Sequence, residues 1–219
     1  MKTVLCYGDS NTWGADPAGG PRFGWDDRWP GVLQHELGDG YRVIEEGLPG
    51  RNTRWDDPIE RQKNGLTQLG PILESHVPLD LVIVNLGTND LKRRYNLTAS
   101  DIAQSAGDLG AAAARIATNA ADKPSRVLLV APPPIAELSD YDLLFEGALD
   151  KSRQFSRYYA LAAKWYELDF FDSATVIASS PVDGIHFEVA AHHKLGQAIA
   201  AKVREILEWL MAPAAVPVE

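Results

Sequence analysis

Thr3-Val4-Leu5-Cys6-Tyr7, followed at once by Gly8-Asp9-Ser10-Asn11, is the stretch on which the fold turns. The first five residues run without polar alternation over a strand's length, the pattern of a strand covered on both faces. Gly-Asp-Ser then ends it, with residue types that open a turn or a helix. The same punctuation recurs downstream. Tyr41–Glu45 reads as a second strand, closed by Gly47-Leu48-Pro49-Gly50. Leu79–Leu86 is a third and nearly continuous apolar run, closed by Gly87-Thr88-Asn89-Asp90. Arg126–Ala131 is a fourth, stopped by Pro132-Pro133-Pro134, and Phe170-Phe171 marks a short fifth.

Helical spacing fills the intervals. Trp29–Leu37 carries apolar residues at helical period and stops before Gly38. Leu66–His76 is helical but interrupted by Gly70-Pro71. Thr98 with Asp101 has the form of a helix start, ahead of an Ala-rich helix over Ile102–Ala117. Phe145–Tyr166 and Glu188–Leu210 complete the set. Strands alternating with helices imply right-handed βαβ units around a parallel sheet. The expected class is α/β, a three-layer α/β/α sandwich on a parallel, flavodoxin-like five-stranded sheet. Residues 1–210 read as one domain and 211–219 as a flexible Pro/Ala-rich tail.

Composition narrows the function classes. Net charge is −9, and Lys92-Arg93-Arg94 is a short basic group rather than a stripe, so nucleic acid is not expected as a partner. The N-terminus lacks the apolar segment of a secretory leader, and no run is long enough to cross a bilayer. The one cysteine, Cys6, lies within the first strand, where buried packing is favoured over redox chemistry. By elimination the expectation is a cytoplasmic protein without membrane association.

In such sheets ligands bind beyond the carboxyl ends of the strands. Four groups fall there. Ser10 can present a hydroxyl, Gly50 an unobstructed backbone N–H, and Asn89 a neutral amide donor suited to an oxyanion. Asp183-Gly184-Ile185-His186 places a carboxylate and an imidazole within one turn of chain, so that Asp183 can accept from one ring nitrogen while the other faces Ser10. Each motif alone reads at least as well as a turn, a loop or a cap, and the Gly50 loop and a lone histidine better so; together they fit a serine nucleophile, its base and its oxyanion donors.

Those four blocks resemble the SGNH hydrolases, the GDSL-type esterases, whose blocks supply Ser, Gly, Asn and His in this order. Leu5–Ser10, Ile44–Leu48, Asp56-Asp57-Pro58, Leu79–Ile83 and Val182–Phe187 are further similar to the bacterial arylesterase/acyltransferase subgroup, which includes the mycobacterial perhydrolase-type acyltransferase. Asn11 departs from the Leu that often follows Gly-Asp-Ser. The resemblance implies a catalytic triad of Ser10, Asp183 and His186 and an oxyanion hole of Ser10, Gly50 and Asn89. It also implies hydrolysis of small acyl esters, transfer to alcohols in some members, and a homo-oligomer, octameric in known members. Asn11, Trp13, Ile185 and Phe145 are candidates for substrate contact. Phe23, Trp25 and Trp29 are equally readable as core or subunit-contact residues. The segment from Pro132 to Leu144 can wall the site, and in an oligomer Tyr141 and Phe145 can come from a neighbouring subunit.

No cofactor is expected. His192-His193 are adjacent on a helix and diverge, so no metal site is expected either. Arg51 and Arg54 could hold an anionic group, with surface pairing to Asp56 or Asp57 the competing reading. Two alternatives stay open: a carbohydrate acetylesterase, and a non-catalytic flavodoxin-like binding module.

Overall fold

The computed structural model describes residues 1–139 and 141–208. Five strands, β1 (Lys2–Gly8), β2 (Tyr41–Gly47), β3 (Leu81–Asn85), β4 (Arg126–Ala131) and β5 (Asp169–Asp172), form one sheet in the order β2-β1-β3-β4-β5. All four pairings are parallel. The sheet carries α1 (Ser10–Trp13), α2 (Trp29–Leu37), α3 (Gly65–His76), α4 (Ala99–Ile116), α5 (Ala148–Ser152), α6 (Phe155–Trp165) and α7 (Val189–Glu208). The expected α/β class, parallel sheet and strand count are all present.

Side-chain alternation along the strands divides the core. Val4, Cys6, Leu81, Ile83, Leu128 and Val130 face one layer, where Trp29 and Leu33 of α2 meet Ile199 and Val203 of α7. Leu5, Tyr7, Val82, Val84 and Leu129 face the other, against α3, α4 and α6. Every residue of β3 is buried, which is why its sequence shows no alternation.

The register sets the position of the site. Gly8 pairs with Gly47 on one side and with Asn85 on the other, so three strands end at the same level. The chain leaves β1 toward β2 on one flank and returns to β3 on the other. The crevice at this reversal is where a sheet of this order binds ligands.

Two helices differ from expectation. Gly70-Pro71 does not interrupt α3. Asn64 caps its start by accepting from Thr67 N–H at 3.2 Å, and Leu69 and Leu73 hold the segment in the core on either side of Pro71. The continuous helix expected over Phe145–Tyr166 is instead broken into α5 and α6. Gly147 precedes α5 with a left-handed φ of 75°. Ser152 Oγ donates to Leu149 O at 2.9 Å and accepts from Ile135 N–H at 3.2 Å, so this side chain serves another loop and the chain turns after it. The capping box at Thr98 and Asp101 forms with both reciprocal bonds, although α4 begins earlier than expected, at Ala99.

Among the described residues no helix is long and apolar enough to cross a membrane. The end of the last helix beyond Glu208, the domain end at 210 and the tail 211–219 lie outside the described residues.

Candidate active site

Ser10 opens α1, the single helical turn that follows β1. Asp9 caps this turn by accepting from Asn11 N–H at 2.9 Å. Ser10 is the first residue of this turn, where the N–H has no preceding helical carbonyl to bond. Gly50 follows Pro49 in a turn closed by Arg51 N–H to Leu48 O at 3.0 Å. Its φ of 82° is the conformation that the third residue of a type II turn requires, with Pro preceding it. Among the described residues neither the Ser10 N–H nor the Gly50 N–H has a protein acceptor. Asn89 starts a 3-10 turn after β3, and its Nδ2 lies 3.5 Å from Asp9 Oδ2.

His186 arrives on the loop between β5 and α7. Its Nε2 lies 3.0 Å from Ser10 Oγ, and its Nδ1 lies 2.5 Å from Asp183 Oδ2. Asp183 Oδ1 accepts from the N–H groups of Ile185 and His186, each at 2.9 Å. Burial alone would raise the Asp183 carboxyl, but the His186 hydrogen bond and these two N–H groups override it and hold it below the ordinary carboxylate range. Gly184, at φ 82°, makes the bend between the two residues. A Cβ there would stand 2.6 Å from Glu137 O. The Gly184 carbonyl accepts from Ala136 N–H at 2.8 Å, which ties the histidine loop to the segment after β4.

These groups open onto a cavity of about 390 Å³. Trp13, Leu144, Phe145 and Ile185 supply its apolar wall. Tyr141 sets its ring edge-on to His186 at 6.3 Å and to Phe145 at 6.4 Å. Tyr141 and Phe145 therefore reach the site of their own chain. One corner is charged: Lys92, whose side chain is 4% exposed, pairs with Glu60, 40% exposed, and Glu60 also meets Arg94 at 2.5 Å.

The structure brings Ser10, Gly50, Asn89, Asp183, His186, Trp13, Ile185 and Phe145 to this place, but not Asn11. Asn11 is buried beneath it, and its Nδ2 donates to Ile185 O at 3.3 Å. It braces the histidine loop against α1 instead of lining the cavity. Of the other aromatics after Ser10, Trp29 is a core residue, Phe23 packs on His192 at 5.7 Å, and Trp25 lies under Arg28. His192 is fully buried, and burial pushes its pKa down to about 3. Among the described residues no group of three or more His, Cys, Asp or Glu could hold a metal.

The polar floor of the site carries no motif in the sequence. Arg51 neither pairs with Asp56 or Asp57 nor lies open to an anion. It is buried over the Tyr7 ring, and its Nη1 donates to Gly8 O at 2.9 Å and Glu46 O at 2.5 Å, tying the ends of β1 and β2. Arg54 pairs with Asp108 at 2.6 Å. Asp57 accepts from Tyr95 Oη at 2.5 Å and pairs with Arg94 at 2.9 Å. Two further carboxyls are buried here. Burial pushes Asp9 up to about 6, against the Asn11 N–H and the nearby Arg51 charge that favour its ionised form. Burial pushes Asp90 up to about 7, against its bonds from Thr53.

The GDSL-like lipase/acylhydrolase family model matches residues 6–194. Among solved structures, the chain is similar to Est24, a carbohydrate acetylesterase from Sinorhizobium meliloti, at 40% identity over 94% of this chain and all of that one, with a TM-score of 0.89. It is similar to the Mycobacterium smegmatis aryl esterase at 42% identity over the same shares, also with a TM-score of 0.89. A putative arylesterase from Agrobacterium tumefaciens shares 36% identity, over 94% of this chain and all of that one, with a TM-score of 0.84. No curated protein matches significantly. With a family match over most of its length, this chain belongs to the GDSL-like lipase/acylhydrolase family and is a carboxylic ester hydrolase.

Proposed function

We propose that the chain hydrolyses small acyl esters, acetates above all, through an acyl-enzyme on Ser10. The observation that carries this is the chain of contacts from Ser10 Oγ through His186 to Asp183, at 3.0 and 2.5 Å. Ser10 Oγ attacks the ester carbonyl as His186 Nε2 takes its proton. Asp183 holds the imidazole in the tautomer with a bare Nε2 and stabilises the imidazolium that forms. The carbonyl oxygen becomes an oxyanion, which accepts from the N–H groups of Ser10 and Gly50 and the amide of Asn89. The carbon–oxygen bond to the alcohol breaks, and His186 returns the proton to the departing alcohol. Water then attacks the acyl-enzyme by the same route and releases the acid and free Ser10. An alcohol in place of water yields a new ester.

Small acyl groups fit because Phe145, Leu144 and Ile185 close the apolar side of a modest cavity. The test is Ser10→Ala, measured against an aryl acetate and by labelling with a serine-directed organophosphonate. Turnover and labelling should both vanish, and retained turnover would remove Ser10 as nucleophile.

A second reading, deacetylation of carbohydrates, is favoured by the Glu60–Lys92 corner. A hydroxyl group both donates and accepts, and this corner offers a carboxylate oxygen beside ammonium protons. If sugars bind there, Lys92→Met should lower kcat/KM on acetylated sugars while sparing aryl acetates. An equal loss on both would mean that the pair serves only the fold.

A further inference from the structure

We propose that Asp90 is the positioning residue of the oxyanion hole, a clamp that sets Gly50 and Asn89 at a fixed separation by gripping Thr53. This rests on the reading of Gly50 and Asn89 as oxyanion donors. The two donors stand on loops after β2 and β3, which are not neighbours in the sheet; β1 lies between them. Strand pairing ends at Gly47 and Asn85, so the ladder does not fix the loops beyond.

Asp90 bridges this gap directly behind the donors. It follows Asn89 by one peptide, and Thr53 follows Gly50 by three. Thr53 N–H is shared between Asp90 Oδ1 at 3.2 Å and Oδ2 at 3.0 Å, and Thr53 Oγ1 donates to Oδ1 at 2.5 Å. Both residues are buried. The other ties between the two loops run from Tyr95 to Asn52 and Asp57, from Arg94 to Asp57 and Glu60, and from Lys92 to Glu60. Those bonds are only part-buried, so they exchange more readily with water. Arg51 anchors the Gly50 loop to the ends of β1 and β2 and leaves the span to Asn89 open. A carboxylate suits the clamp because both of its oxygens accept. The placement also accounts for a buried acid at this point, which desolvation otherwise disfavours.

The hole requires its donors within a few tenths of an ångström of the developing oxyanion, and a shift of about 1 Å can cost about 10²-fold in rate. Five variants test the clamp: Asp90→Asn, Thr53→Val, Thr53→Ser, Asn89→Ala, and Asp90→Asn in the Asn89→Ala background. Initial rates are read with an aryl acetate at pH 8, where Asp90, pushed up to about 7 by burial, is mostly ionised, and far-UV circular dichroism and Tm confirm folding. Asp90→Asn and Thr53→Val should each lower kcat by about 10- to 100-fold with KM changed less than about twofold. Thr53→Ser, which keeps the hydroxyl, should stay near wild type. With Asn89 already removed, Asp90→Asn should cost far less than it does alone, because it acts through that donor. A full additive loss in the Asn89→Ala background overturns the proposal, as does a folded Thr53→Val enzyme with unchanged kcat. If Asp90→Asn does not fold, the Thr53 pair decides. An Asn89→Ala enzyme of normal kcat would instead strike down the oxyanion reading itself, and the clamp with it.

Discussion

Asp183→Asn isolates the orientation of the base from its presence. Asp183 Oδ1 accepts two backbone N–H groups at 2.9 Å, and Oδ2 faces His186 Nδ1. An asparagine has one oxygen and one NH₂ to put in these two places. With the oxygen on the backbone side it keeps two hydrogen bonds. With the oxygen on the imidazole side it keeps one and sets its NH₂ against two N–H donors. Each bond contributes about 1 kcal/mol net, and each unsatisfied buried donor costs about 1–3 kcal/mol, so the oxygen stays with the backbone. The NH₂ then faces Nδ1, which must accept, and the ring proton moves to Nε2. There it meets Ser10 Oγ as a donor, and the base cannot take the serine's proton. The backbone bend survives while the tautomer is wrong. The expected loss in kcat is about 10⁴-fold, equivalent to about 5.5 kcal/mol of transition-state stabilisation. KM should change little, because Asp183 does not line the substrate cavity. The assay is steady-state hydrolysis of an aryl acetate at pH 7–8, with Ser10→Ala as the floor and Tm as the check on folding. A folded Asp183→Asn enzyme within tenfold of wild-type kcat would refute the argument.

Two further outcomes follow from burial. Asp90 sits at about 7 in the folded chain against an ordinary 3.8, so between about pH 4 and 7 the native state holds a proton that the unfolded chain has released, and this group's contribution to stability falls as pH rises. Buried His192, pushed down to about 3, acts in the opposite sense below about pH 6.5, so wild-type stability alone is a poor readout. The difference is the clean one: Asp90→Asn should gain on wild type by on the order of 3 kcal/mol from pH 4 to 8, measured by urea unfolding, and a pH-independent difference would sink the claim. Phe145→Ala removes a buried ring from the cavity wall; it should cost about 3 kcal/mol of stability and raise kcat/KM for butyrate relative to acetate esters severalfold, a ratio that stays put if Phe145 does not limit acyl length.

What the sequence disclosed, and what it withheld, divides along a physical line. The strands were legible because a sheet covered on both faces leaves unbroken apolar runs, as in β3. Ser10, Gly50, Asn89 and the Asp183–His186 pair were legible as candidates because topology brings strand ends to one edge, and an Asp three residues before a His closes on itself locally. The residues whose roles the sequence does not disclose depend on partners far along the chain. Ser152 breaks a helix because Ile135, 17 positions away, needs an acceptor. Arg51 is buried because the carbonyls at the ends of β1 and β2 converge on it, one of them 43 positions distant. Asn11, next to the nucleophile in sequence, turns to a carbonyl 174 positions away, so adjacency in the chain did not make it a substrate contact. Gly70-Pro71 is the converse case, a strong local signal for a break overruled by Leu69 and Leu73 in the core. A polar side chain taken from water is stabilised by a partner, and the partner's address is a property of the fold. The groups proposed to react at this site can therefore be named from their motifs, while the residues proposed to hold them at working distance, Asp90 and Thr53 foremost, become visible only when the loops are seen side by side.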